Sequence, residues 1–125
     1  MKKHTVVNLT KHDVRIWPNG NAVKEIIVKP FGKIARISYS TKVDELQSDI
    51  VPVKTIRHFS PVGLPDPEEG KRFIVSAQVM NFLPKRLDLL IPSSLIRDNL
   101  GRIVACEALI GYSVKDVYNF WKGLK

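Results

Sequence analysis

Only one stretch of this chain repeats its apolar residues at sustained helical spacing: Val114, Val117, Tyr118, Trp121 and Leu124. Elsewhere the apolar residues come in short runs, and proline, glycine or asparagine interrupts each one. A chain punctuated in this way folds mainly as strands. The expected architecture is α+β: a mostly antiparallel curled β-sheet with a short central helix and a C-terminal helix, in a single domain spanning 1–125.

The order of segments follows from the punctuation. Val6, Val7 and Leu9 start a strand that ends in the turn formers of 8–13, and Val14, Ile16 and Trp17 make a second. Asn19-Gly20 is the strongest short-range hairpin signal, so 23–28 should return as a strand and continue the meander. Residues 34–39 alternate, with Ala35, Ile37 and Tyr39 on one face and Arg36 and Ser38 on the other. The polar stretch 41–49 reads as a loop or one helical turn, and Ile50 to Ile56 as an edge strand because of Pro52. Residues 61–70 pack three prolines and two glycines into a rigid loop. Phe73-Ile74-Val75 is a buried strand, Ser76 starts a helix over 77–83, and Pro84 ends it. The next apolar run should break at Pro92. An Asn99-Leu100-Gly101 turn then leads into a strand over 102–112, and Ser113 with Asp116 reads as the cap of the final helix.

Composition narrows the class. Cys106 is the only cysteine, which excludes an intrachain disulfide and any zinc site built on several cysteines. The longest uncharged run, 73–84, is shorter than the roughly 20 residues of a membrane span, so a cytoplasmic, non-membrane protein is expected. Lysine and arginine total 20 against 12 acids, a net charge of +8. The excess sits in the outer thirds: +6 over 1–36 and +5 over 71–125, against −3 between them. Such a field attracts polyanions, and a solvated basic surface is the plainer explanation.

The chain lacks a Gly-rich phosphate loop, a His-Glu-x-x-His helix and a Gly-x-Ser-x-Gly elbow. His4, His12 and His58 are scattered, so neither a metal nor another cofactor is expected. Asn8, Thr10 and His12 stand two apart and would share a face, where an imidazole could move protons near neutral pH. They could equally make the turn between two strands. Ser76 could hold a phosphate or simply cap its helix. Arg86 with Asp88, and Arg97 with Asp98, are either loop ties or arginine forks aimed at phosphate. Arg36 lies among serines, and Glu107 is the one charge in the apolar run 103–112. No strand alternates aromatic residues in the manner of an RNA-reading sheet.

An ordered series of short motifs carries a family resemblance: Asn8-Leu9-Thr10-x-His12, Ala35-Arg36-Ile37, Gly63-Leu64-Pro65-x-Pro67-x-x-Gly70, Ile74-Val75-Ser76, Arg86-x-Asp88-Leu89, and Ile96-Arg97-Asp98-x-x-Gly101-Arg102-Ile103-Val104-x-Cys106. It resembles a small-protein family of phages, plasmids and actinobacteria whose opening motif is usually Asn-Leu-Thr-Pro-His. Lys11 stands where that proline would be, and the helix over 113–124 reads as an addition to the family core.

The resemblance implies the activity of a type III CRISPR ring nuclease, which degrades cyclic oligoadenylate second messengers in antiviral defence. It also implies a homodimer with its active site between subunits, since a two-fold interface suits a symmetric ring. On that reading, His12 moves a proton and Asn8 and Thr10 position it or the ribose. Arg36, Ser76, Arg86 and Arg97 bind phosphate, and Asp88 and Asp98 orient the arginines. No metal takes part, because the adjacent 2′-hydroxyl can attack each phosphodiester. The alternatives are a module of a mobile element that binds nucleic acid or a cyclic nucleotide without cleaving it, and a phage structural protein.

Overall fold

The computed structural model describes residues 4–43 and 52–124. Its chain order is β1 (Thr5–Asn8), β2 (Val14–Ile16), β3 (Ile26–Val28), β4 (Arg36–Val43), β5 (Lys54–Val62), β6 (Lys71–Ile74), α1 (Ala77–Phe82), β7 (Leu89–Arg97), β8 (Ile103–Gly111) and α2 (Val114–Lys122). Six strands form one sheet in the order β1-β6-β7-β8-β2-β3, and β4 with β5 forms a separate two-stranded hairpin.

The Phe73-Ile74-Val75 run sets the centre. β6 pairs in parallel with β1 on one side and β7 on the other. A strand flanked in this way is covered on both faces, which is why its apolar run is continuous rather than alternating. Phe73 and Val75 point into one cluster with Leu9, Ala35, Ile37, Val79 and Leu89, over which α1 packs. Ile74 points the other way, to Val14, Leu90 and Cys106, with Val6, Ile16, Val28 and Leu109 around them. Every strand of the six-stranded sheet contributes to this second cluster, so the sheet curls around it. The curl nearly closes where Asn8 bridges to Pro30 and the Phe31 amide donates to the Asn8 carbonyl at 2.8 Å.

The long ladders β7–β8 and β4–β5 are antiparallel, as is β2–β3, while the parallel ladders are short. The α+β architecture with its curled sheet and two helices is therefore as the sequence indicates. The first strands do not form a meander, however. β1 pairs with β6 and leaves β2 to β8 and β3. Asn19 and Gly20 both take positive φ, but they belong to a 3-10 turn, Pro18–Gly20. A second such turn, Ala22–Lys24, is held by the Asn21 side chain accepting from the Val23 amide, so the returning strand shortens to Ile26–Val28. Local side-chain capping has outcompeted strand propensity there.

Pro92 does not break β7. It stands opposite Leu109 of β8, and β6 pairs only as far as Leu90 on the other side. With no third strand beside it, the missing N–H costs no ladder bond. Likewise Pro61 and Val62 end β5 rather than opening the loop. The expected loop or helical turn at 41–49 resolves as strand up to Val43; its remainder, with Ile50 and Val51 of the expected edge strand, lies outside the described residues. Among the described residues no helix is long and apolar enough to cross a membrane.

Candidate functional site

The chain leaving β1 turns sharply through 9–13, and Asn8 makes the turn. Its side chain is buried and fully used. Nδ2 donates to the carbonyls of His12 at 2.8 Å and Val28 at 2.9 Å. Oδ1 accepts from the Thr10 amide at 2.9 Å and the Thr10 hydroxyl at 2.6 Å. The same hydroxyl lies 3.1 Å from the His12 carbonyl. The amide thus ties β1, the turn and the end of β3 together, and leaves the His12 imidazole exposed at the surface.

That imidazole borders a cavity of about 440 Å³, within the range of small-ligand sites. Thr10, His12, Asp13, Arg15 and Ser76 are among the residues that line it, and Val75, Pro92, Leu95, Ile103 and Ala105 make much of its largely apolar wall. Three of the expected site residues, Thr10, His12 and Ser76, therefore meet in one place. Ser76 also caps α1, its hydroxyl accepting from the Val79 amide at 3.3 Å. With six residues, α1 brings only a short dipole to the cavity.

The arginines stand elsewhere. Arg36 is exposed at the start of β4. Arg86 grips the fully buried Asp88 through Nε at 3.0 Å and Nη2 at 2.9 Å, and Nη2 also donates to the Pro65 carbonyl at 3.0 Å. This fork ties the proline loop to the edge of β7. Arg97 donates to the Gly101 carbonyl at 2.8 Å. Asp88 does orient Arg86, whereas the pairing of Asp98 with Arg97 requires correction. Asp98 accepts from the amides of Leu100 and Arg102 and from Arg102 Nε, at 2.9, 3.0 and 2.9 Å. These donors, led by the Arg102 amide, hold its carboxyl below the ordinary value. Sequence adjacency misleads here, because an Asx turn points the carboxylate forward over the turn rather than back along the strand.

Arg15, like Asp13, is a cavity residue that sequence reasoning missed. It lies between buried Val14 and half-buried Ile16 on β2, so the period of two turns it outward. Its Nη1 pairs with Glu25 at 3.1 Å, and Glu25 also accepts from Trp17 Nε1 at 3.0 Å. The Trp17 bond, then the Arg15 bond, lowers the Glu25 pKa. Cys106, also on the cavity wall, is buried, and burial pushes its thiol pKa up. Glu107 faces solvent. Arg72 was missed too: nearly buried on β6, it donates to the Tyr112 carbonyl at 2.8 Å, and burial lowers its pKa against the pull of Asp88.

Among the described residues, no three His, Cys, Asp or Glu side chains are grouped to hold a metal ion. No protein-family model, curated protein or solved structure matches the chain.

Proposed function

We propose that the cavity at the β1–β2 turn binds a phosphodiester of a cyclic oligoadenylate and that the protein acts there as a metal-independent ring nuclease. The observation that supports this reading is the meeting of Thr10, His12, Arg15 and Ser76, with Asp13 beside them, at one cavity whose remaining wall is largely apolar. An apolar wall suits a nucleobase, and the polar rim suits the ribose and phosphate beside it.

In this scheme His12 accepts the proton of the 2′-hydroxyl as its oxygen attacks phosphorus. The P–O5′ bond breaks, and the departing oxygen takes a proton from the imidazolium. The products are a 2′,3′-cyclic phosphate and a 5′-hydroxyl, so atoms and protons balance. Arg15 offsets the charge developing on the phosphorane, while Thr10 and Ser76 offer hydroxyls to the ribose and phosphate. Arg86, Arg97, Asp88 and Asp98 act through the fold. A homodimer would present two such cavities to a ring with matching symmetry.

The test is incubation of purified protein with cyclic oligoadenylates in EDTA, with products separated by chromatography. Linear or cyclic-phosphate products are expected, and His12→Ala should lower their rate by about 10²–10⁴-fold while retaining binding. Unchanged turnover in that variant removes His12 from the mechanism. A ring bound but never cut makes the protein a binding module, and absence of binding overturns the assignment.

A further inference from the structure

The β4–β5 hairpin carries a second array of donors, away from the residues that line the cavity. Arg36, Ser38, Ser40 and Lys42 alternate along β4 and so share one face. Across the ladder Ser60 stands opposite Ser38, His58 opposite Ser40 and Thr55 opposite Lys42. All of these side chains are exposed. The register shifts after Ser40, which leaves Arg57 as the extra residue of a bulge, a device that re-aims a side chain. Ser38, Ser40, His58 and Ser60 also edge a depression of about 330 Å³.

Neither strand of the hairpin contains a carboxylate. Arg36, Lys42, Lys54 and Arg57 leave the ribbon strongly cationic, and the acids between positions 36 and 62 all fall in the connecting stretch, as Asp44, Glu45 and Asp49. A strip of hydroxyls, guanidinium and ammonium, free of acceptor charge, matches the oxygens of successive phosphates. Eight extended residues span roughly 25 Å, long enough to follow several nucleotides. A second copy seated here would set Arg36 and Lys42 against their own counterparts with no carboxylate on the face to pair them, and is disfavoured by repulsion. Insertion into a duplex groove would bury both faces of the ribbon, and the other face presents Tyr39, Val43, Ile56 and Phe59.

We infer that the Arg36–Lys42 face of this hairpin binds the backbone of single-stranded nucleic acid without reading its sequence. This goes beyond cleavage of a ring in the cavity: it gives the protein a surface for a linear strand. The test is fluorescence anisotropy with labelled oligo-uridine and oligo-thymidine of about 12 nucleotides, at several salt concentrations. Affinity should fall linearly with the logarithm of salt, and the double variant Arg36→Ala, Lys42→Ala should flatten that slope by about 1.4. Lys115→Ala, which removes an exposed cation from α2, should leave the slope unchanged. Circular dichroism of both variants should match the wild type, since every altered side chain is at the surface. Absence of binding, tighter binding of a duplex of equal length, or equal losses in the Lys115 variant would each overturn the inference. The probe contains no ring, so its failure leaves the cavity assignment intact.

Discussion

Asn8 makes four hydrogen bonds with one buried amide, which fixes its place among stability determinants before any role in chemistry. Asn8→Ala strips the Val28 carbonyl and the Thr10 amide of their side-chain partner and leaves the His12 carbonyl with the Thr10 hydroxyl alone. Each such orphan costs about 1–3 kcal/mol, so a loss of about 2–5 kcal/mol in urea unfolding is expected for the pair. A loss below about 1 kcal/mol would mean that water reaches the turn. Cys106 answers differently. Burial favours its neutral thiol, so alkylation by iodoacetamide at pH 8 should run far slower than that of a free thiol and rise on unfolding, as mass spectrometry would show. At this scale the sequence exposed residue types but not their obligations. The Asn8-x-Thr10-x-His12 spacing placed three side chains at the turn, yet only the coordinates separate the buried tie from the exposed imidazole. Arg86 and Asp88 were legible as a pair because they stand two apart in the short segment between α1 and β7. Arg15 was not legible, because its cavity forms only when β2 lies beside β8 and the chain after β6.

At the scale of elements, local signals succeeded where the cap or turn is closed by near neighbours. Ser113 does cap α2, its hydroxyl accepting from the Asp116 amide at 3.2 Å, and buried Val117 and Trp121 supply the apolar stripe. Ser113→Ala should therefore cost about 1 kcal/mol, measured as a fall in Tm with no change in fold. The Asp98 turn is closed just as locally, and its energetics depend on pH. Because the folded carboxyl lies below its ordinary value of 3.8, its stabilisation is complete above that value and is lost as pH falls through the depressed one. Asp98→Asn keeps the acceptor oxygen but loses the charge opposite Arg102. The variant should melt below the wild type at pH 7, and the gap should close as the solution is acidified below 3.8; a gap unchanged by acid would exclude a charge-based contribution. Signals failed where a distant partner decides. Pro92 stays within β7 because the neighbouring strand ends before it, and no window of sequence around a proline reports where another strand stops. The expected strand over 23–28 gave way to a capped turn at Asn21, although both readings use the same residues.

At the scale of the whole molecule, a curled sheet holds the core and the hairpin is anchored to that core at one end. The curled sheet surrounds Val14, Ile74, Leu90 and Cys106, and α1 seals its outer cluster around Phe73, Val75 and Leu89. The hairpin joins that core through Ile37, and Phe59 adds an edge contact with Phe82 at 5.0 Å between ring centres. Beyond those anchors every residue of β5 is exposed, and an isolated two-stranded ribbon is marginal in water. Opening of the hairpin therefore need not disturb the sheet, whereas opening of β6 exposes both clusters together. Native-state hydrogen exchange should resolve this as two levels of protection. The amides of Phe73 and Val75, which donate to the Asp88 and Leu90 carbonyls at 2.9 Å, should exchange only through global unfolding and follow its dependence on denaturant. Amides of the β4–β5 ladder should exchange faster and through a transition that denaturant barely affects, because little surface is exposed by it. Addition of single-stranded oligonucleotide should then slow the hairpin amides selectively, since a ligand that holds the ribbon in place raises the free energy of opening it. Equal protection across sheet and hairpin without ligand would instead show that the ribbon unfolds only together with the core.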